Sequence, residues 1–424
     1  MHIALLMYGF PDREGNGAPM ASWAIASYLA RIGHKITVCG LIEHDNSAWD
    51  ASRAEELLSA HGIALEPVKV EQVDKKIRRG SFFLTLADFL KWLVSPDNER
   101  LFFMGEAGPY VQPVLKRVDP DVILYYHLEG LVSTYDCSPH LPRLAVIGDP
   151  PNLSFYYRWR NAPFSFSAQY LMFALRAFHG LYHIPKRLKK MLSYCDYKGE
   201  LAAHHAAWFR KIGVTDCEYI KMPIRDDAGP DWEEKRKKAK KSRKPKIMMI
   251  GDVSATSSLA GLILFAKEVL PVLESSLGPE GFEVHIIGRG TLPADMVPLM
   301  DRPSVKIRGR VEEAAPEFLS SDILLVPTSI PLGVRTRIVV GFSFGCCVVA
   351  HTANANGTPE MVHNENALLA SDGPGLAREI IRATSDTKMQ KRLSFRGRET
   401  YEKYFHSDVA SSFIEEKLKN VIVE

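Results

Sequence analysis

Arg335 and Arg337 stand one residue apart in PLGVRTRIVVGFSFG, where a chain broken by Pro327 and Pro331 turns into an apolar run of helical period opened by Gly333. A helix start leaves its first N–H groups without intrahelical partners and carries a partial positive charge, so two guanidinium groups added there favour an anion. Diphosphate is the anion that suits this spacing best.

The elements around this pair follow from periodicity. Ile323 to Val326 is an apolar run of strand length, the helix ends at Gly345, and CCVVAH reads as a second buried strand. The first half alternates in the same way. HIALLMYGF is a strand, PDREGNGAP a Gly-rich loop, MASWAIASYLARIG a helix closed by Gly33, and HKITVCGLI a strand, which together make a βαβ unit. Parallel sheets bind ligands beyond the carboxyl ends of their strands, which puts Gly15 and Gly17 on the ligand edge; the other reading of that loop is a flexible connection. DVILYYH ends at His127 on the same edge, Leu144 to Gly148 and Cys217 to Met222 read as later strands, and the first domain closes near Pro223. From Lys246 a second alternation runs through IMMIG, a helix over Leu259 to Leu277, FEVHIIGRG, VKIRGRV and a helix near Glu312 to Ser320. Gly251 and Gly288 end strands on the ligand edge, where a missing Cβ lets backbone approach a ligand, or where a glycine simply turns the chain. The expected class is α/β, with two Rossmann-like doubly wound parallel sheets in series.

Length and composition agree with two domains. A chain of 424 residues suits two cores, and 46% hydrophobic with 24% charged residues is an ordinary globular balance. Six scattered cysteines without C-x-x-C spacing read as reduced core thiols, neither a disulfide frame nor a zinc site. MHIALLMYGF lacks the basic start of a signal sequence, and the nearest approach to a membrane span, AQYLMFALRAFHGLYHI, is interrupted by Arg176 and His179. A cytoplasmic location is the expectation. Asp231 to Lys246 carries nine Lys or Arg against three acidic residues, a net of +6, where the whole chain is only +3. Such a run reads as a solvated linker. With an acidic remainder and no nucleic-acid module, no DNA or RNA partner is expected.

GVRTRI, followed by GCCVVAHTANANGTPEMV and NALL, resembles the donor-site segment of the retaining, group-1-type (family 4-like) GT-B glycosyltransferases. The likeness extends over IMMIGDVSATSSLAGLILFAKEVLPVL, FEVHIIGRG and VKIRGRVEE, and more thinly over the first forty residues and DPDVILYYH. It implies a GT-B enzyme with an acceptor domain over 1–223, the basic linker over 224–245, a nucleotide-sugar donor domain over 246–400 and a helix over 401–424 returning to the first domain, the two domains facing across a cleft. It further implies transfer, with retention, from a nucleoside diphosphate sugar to a hydroxyl of a glycan, glycolipid or small molecule; no cluster in the sequence has convincing metal-ligand spacing, so a metal-independent, cofactor-free enzyme is expected. The N–H groups of Gly333 and Val334 would join Arg335 and Arg337 on the leaving phosphate, and the base would lie near Gly309 to Val311. His127 becomes the catalytic candidate beside the transferred sugar, its alternative being an imidazole satisfied at a strand end.

This chain departs from the family at four positions. Val340 and Leu332 stand where the family carries Glu, and Asp252 and Ala260 where it carries Arg and Lys. A second reading follows: a GT-B shell that binds a nucleotide sugar or a partner without turnover. A third is a GT-B enzyme of other chemistry, such as a sugar-nucleotide epimerase, which the GVRTRI signature disfavours.

Other candidates carry plainer readings. Asp119 and Asp121 imitate a metal-binding Asp-x-Asp but precede a strand, where Pro and Asp form turns. His204 and His205, adjacent on a helix, point about 100° apart and are read as structural. Pro150 to Cys195 holds no Asp or Glu and interleaves Arg158, Arg160, Arg176, Lys186, Arg187, Lys189 and Lys190 with aromatics. That pattern reads as an acceptor-side surface, suited to a lipid-linked acceptor or a bilayer interface on the cytoplasmic face, or as helices packing their aromatics into a core.

Overall fold

The computed structural model describes residues 1–13, 17–43, 50–70, 107–132, 134–161, 168–239 and 242–423. These form two compact units: Met1–Pro223 with Ala410–Glu424, and Ile224–Val409.

In the first unit the described residues build one parallel sheet from β1 (His2–Tyr8), β2 (Lys35–Glu43), β3 (Ala64–Val70), β4 (Val122–Tyr126), β5 (Arg143–Ile147), β6 (Tyr197–Glu200) and β7 (Cys217–Tyr219), in the order β3-β2-β1-β4-β5-β6-β7. The central strands β1 and β4 are continuous apolar runs because helices cover both faces: Ile3, Leu5, Val122 and Leu124 are as buried as Ala4, Leu6, Ile123 and Tyr125. From β1 the chain proceeds outward in one direction to β2 and β3, and in the other to β4 and beyond. The carboxyl ends of β1 and β4 therefore flank the topological switch point, where α/β sheets hold ligands. The register Leu6↔Tyr125 and Met7↔Tyr126 places the end of β4 beside that of β1.

Periodicity does not reveal β3 and β6. YKGE is strand β6 although it carries two charges, because buried Lys198 reaches Asp216 at 2.5 Å and Glu200 accepts a hydrogen bond from the Ala202 amide at 3.1 Å.

The second unit repeats the design with β8 (Lys246–Ile250), β9 (Glu283–Ile287), β10 (Val305–Gly309), β11 (Ile323–Val326), β12 (Cys347–His351) and β13 (Leu368–Ala370), in the order β10-β9-β8-β11-β12-β13. Its switch point lies between β8 and β11. The helical run Thr256–Leu277, with one π turn at Phe265–Val269, packs Leu262, Phe265, Ala266, Val269, Leu270 and Leu273 into the core. By length and composition this run could cross a bilayer, although Lys267 and Glu268 interrupt any continuous apolar stretch within it. Its apolar stripe recurs at helical period and covers the sheet, as in a soluble core helix.

The basic run differs from its composition-based reading. It opens as the helix Trp232–Lys238, whose Trp232 is buried and meets Phe395 at 5.1 Å between ring centroids. Arg236 donates to the Phe318 carbonyl at 2.9 Å and the Ser321 carbonyl at 2.7 Å. Charge counting sees only a solvated basic run, whereas one tryptophan and one arginine dock the segment onto its unit.

Candidate functional site

The second unit assembles its candidate site at its switch point. β11 ends at Val326, and the following loop is held from beneath by Asn354, whose Nδ2 donates to the carbonyls of Thr328 at 3.1 Å and His351 at 2.8 Å. Gly333 then takes a left-handed backbone, φ 65°, which turns the chain into the helix Thr336–Ser343. Arg335 sits one residue earlier than periodicity suggests: it is the extended N-cap residue, and Arg337 lies in the first turn. The N–H groups of Gly333 and Val334 meet no acceptor among the described residues.

Both guanidinium groups reach toward the helix that follows β8. Arg335 donates to the Ile330 carbonyl at 2.9 Å and lies 3.4 Å from the Ser257 hydroxyl. Arg337 donates to the Ile250 carbonyl, the last residue of β8, at 2.5 Å, and lies 3.3 Å from the Ser258 hydroxyl. Among the described residues no carboxylate pairs with Arg337. Desolvation, with the Arg335 charge beside it, pulls its guanidinium down to about 9. A cation held away from water beside a second cation, at a helix start with open N–H donors, is arranged to receive an anion. Ser257 and Ser258 escape sequence reasoning; their signal is the hydroxyl-rich start of VSATSSLAG.

Glycines fix the neighbouring strand ends. Gly251 has φ 144°, and a Cβ there would fall 2.4 Å from Arg337 Nη1. A Cβ on Gly288 would fall 1.7 Å from the Gly251 carbonyl oxygen, so this glycine allows backbone to pack on backbone. Gly251 N–H donates to Ile287 and Gly288 N–H to Gly309, both at 2.9 Å, lacing the ends of β8, β9 and β10 together. Val311, two residues past β10, is half-buried on this edge. Leu332 and Val340 are half-buried, in the loop and on the helix respectively. Asp252 does not neutralise Arg337: its carboxylate accepts from the Ser254 hydroxyl at 2.6 Å and amide at 2.9 Å, and the hydroxyl bond above all holds it below the usual carboxylate range.

The first unit places His127 and Gly17 at its own switch point. Gly17 begins the helix Gly17–Arg31 after β1; Gly15 lies outside the described residues. His127 ends β4 in a left-handed conformation, φ 64°, with its amide donating to Val146 at 2.8 Å. A non-glycine residue rarely holds this backbone, and such strain gathers at functional sites. Its Nδ1 lies 3.9 Å from Glu129, while Nε2 is buried without a hydrogen-bond partner among the described residues. A Cβ at Gly148 would fall 2.5 Å from Nδ1, so that glycine makes room for the ring.

The set-aside candidates have structural roles. Asp121 accepts from the His2 amide at 2.6 Å and Asp119 caps a helix in the left-handed region, both at the amino end of β4, away from His127. His205 is fully buried, with Nδ1 3.6 Å from Asp149 and 3.8 Å from Glu200.

Residues 244–386 match the family described as Glycosyl transferases group 1. That segment contains Arg335, Arg337, Gly251 and Gly288. Solved structures match the whole chain: HepE of Anabaena in complex with UDP and glucose, at 14% identity, TM-score 0.63, covering 98% of this chain and 99% of its own. The fold is GT-B. Two further GT-B neighbours support the assignment. A glycosyltransferase from Rickettsia africae aligns at 13% identity and TM-score 0.65, covering 99% of this chain and 98% of its own. TarM of S. aureus, solved with UDP, aligns at 10% identity and TM-score 0.65 over 100% of both chains. No curated protein matches the chain by sequence.

Proposed function

We propose that the chain transfers a sugar from a nucleoside diphosphate sugar to an acceptor hydroxyl, with retention at the anomeric carbon and without a metal ion. The observation that carries this reading is Arg337, a half-buried residue whose guanidinium is desolvated and has no paired carboxylate among the described residues, seated beside Arg335 at the helix mouth. Breaking the bond between the anomeric carbon and the diphosphate concentrates negative charge on the leaving oxygen. Arg337, Arg335 and the N–H groups of Gly333 and Val334 would stabilise that charge more in the transition state than in the bound donor. The departing phosphate would take the acceptor's proton on the same face of the sugar, which gives retention without a protein nucleophile. His127 would hydrogen-bond a sugar hydroxyl. UDP sugars are the first donors to test, because HepE and TarM were solved with UDP.

The test is a thermal melt and a turnover assay with UDP, UDP-glucose and a panel of other nucleotide sugars. A donor at ~100 times its dissociation constant adds about 2.7 kcal/mol of stability, and the enzyme releases nucleoside diphosphate slowly even without acceptor. Val340 and Leu332, apolar where the family carries Glu, favour the second reading, a shell that binds without turnover. Stabilisation with no diphosphate release would establish that reading, and no stabilisation by any member of the panel would remove both.

A further inference from the structure

A surface feature that donor chemistry leaves unused is the helical pair Pro151–Arg160 and Ala168–Leu192 of the first unit. The second helix buries Ala177, Gly180, Ile184, Leu188 and Met191. On its opposite side Leu171, Phe178 and Tyr182 are 60%, 56% and 62% exposed. At 100° per residue, steps of seven and eleven place these three within about 20° of one line along the helix. Lys189 extends the same line and is exposed, and exposed Lys186 lies beside it, its Nζ 4.1 Å from the Tyr182 ring centroid. The first helix adds to this face. Trp159 meets Phe178 at 5.1 Å between centroids, with exposed Arg158 and Arg160 on either side of it.

A soluble helix exposes single apolar side chains at random positions, not a ruled line of leucine, phenylalanine and tyrosine. Nor is the charge mixed: from Pro150 to Cys195 there are seven Lys or Arg and no Asp or Glu. A protein partner would normally be met with both signs of charge. Apolar and aromatic side chains flanked by lysine and arginine, on a helix lying flat on its domain, match the interface of an anionic bilayer: rings settle at headgroup depth and the cations meet phosphate.

We propose that this face docks the protein peripherally on a membrane carrying anionic lipid, with Leu171, Phe178 and Tyr182 inserted and Arg158, Arg160, Lys186 and Lys189 on the headgroups. The proposal goes beyond the donor chemistry and does not depend on it.

The full-length protein is co-sedimented with vesicles of phosphatidylcholine alone and of phosphatidylcholine mixed with phosphatidylglycerol. Two variants are compared, L171S/F178S/Y182S and K186E/K189E; all five positions are exposed, so both should melt as the wild type does and keep any donor-induced shift. The wild type binds the anionic vesicles at least tenfold more tightly than the neutral ones. Each lysine near an anionic surface contributes about fivefold, so K186E/K189E loses at least twentyfold, and the serine variant loses binding although its charge is unchanged. Wild type that stays in the supernatant with anionic vesicles, binds both vesicles equally, or is matched by either variant overturns the proposal. Capture of a soluble protein instead, without vesicle binding, overturns it as well.

Discussion

Gly251 leaves open the space beside it that the Arg337 guanidinium fills: a Cβ on the glycine would fall 2.4 Å from the arginine's Nη1. The backbone at Gly251, φ 144°, is also one that only glycine holds easily. Gly251→Ala should therefore push the Arg337 guanidinium off the Ile250 carbonyl. UDP binding by calorimetry should weaken by tenfold or more, with a melting temperature lowered by the strain of roughly 1–3 kcal/mol. Unchanged affinity would show that Arg337 does not need its observed position.

Arg337 itself should govern turnover. Arg337→Ala removes a charge-assisted donor from the leaving phosphate and should lower the rate by at least about tenfold to a hundredfold. Arg337→Lys should recover little, because an ammonium cannot bridge the Ile250 carbonyl and an anion with two parallel donors. A rate equal to wild type in the alanine variant would take Arg337 out of the site.

The pH dependence of donor binding follows from the same residue. Its folded-state value of about 9 lies well below that of ordinary arginine, so the charged form costs stability at neutral pH; the cost is lost as pH rises above about 9, or when an anion binds. Binding of diphosphate draws the proton on. Between about pH 7.5, where the terminal phosphate of UDP is already ionised, and about pH 9 UDP affinity should be flat, and above that it should fall by up to about tenfold per unit. Arg337→Gln should bind weakly and without that fall, which calorimetry between about pH 8 and about pH 10 distinguishes.

His127 separates catalysis from backbone strain. His127→Asn accepts the left-handed conformation at least as readily, so the fold should melt at or above the wild-type temperature while turnover falls tenfold or more. UDP binding, which the proposed function assigns to groups of the second unit, should be unaltered. Turnover retained in His127→Asn would reduce the histidine to a strand terminus.

Arg398 and Asp226 test the second unit's architecture. The arginine, almost wholly buried, donates to both Asp226 oxygens at 2.8 and 2.6 Å and to Glu402 at 2.7 Å. Asp226→Ala leaves that cation without its bidentate partner and should cost about 3–5 kcal/mol in denaturant unfolding.

Much of the chain is legible without coordinates. β1, β8, β11 and β12 are unbroken apolar runs, since a strand covered on both faces can use little else, and Gly33 and Gly345 mark helix ends through their left-handed backbone. The spacing of Gly333, Arg335 and Arg337 marks a candidate anion site because a helix start needs only local sequence to form. Local sequence does not disclose Lys198 and Glu200 as strand residues, Trp232 and Arg236 as anchors, or Ser257 and Ser258 as partners of the arginines. Apart from Glu200, which the Ala202 amide two residues on satisfies, each acquires its role from groups that lie far along the chain, such as Asp216, Phe395, Ser321 and Arg335. The residue types at β1 and at the helix mouth fix which chemistry is available. Only the order of strands, which puts the end of β8 beside β11, decides that the Ile250 carbonyl, Gly251 and Arg337 meet at one point, because burial of two sheet faces leaves the crevice at the switch point as the place where backbone and charge stay accessible to a ligand.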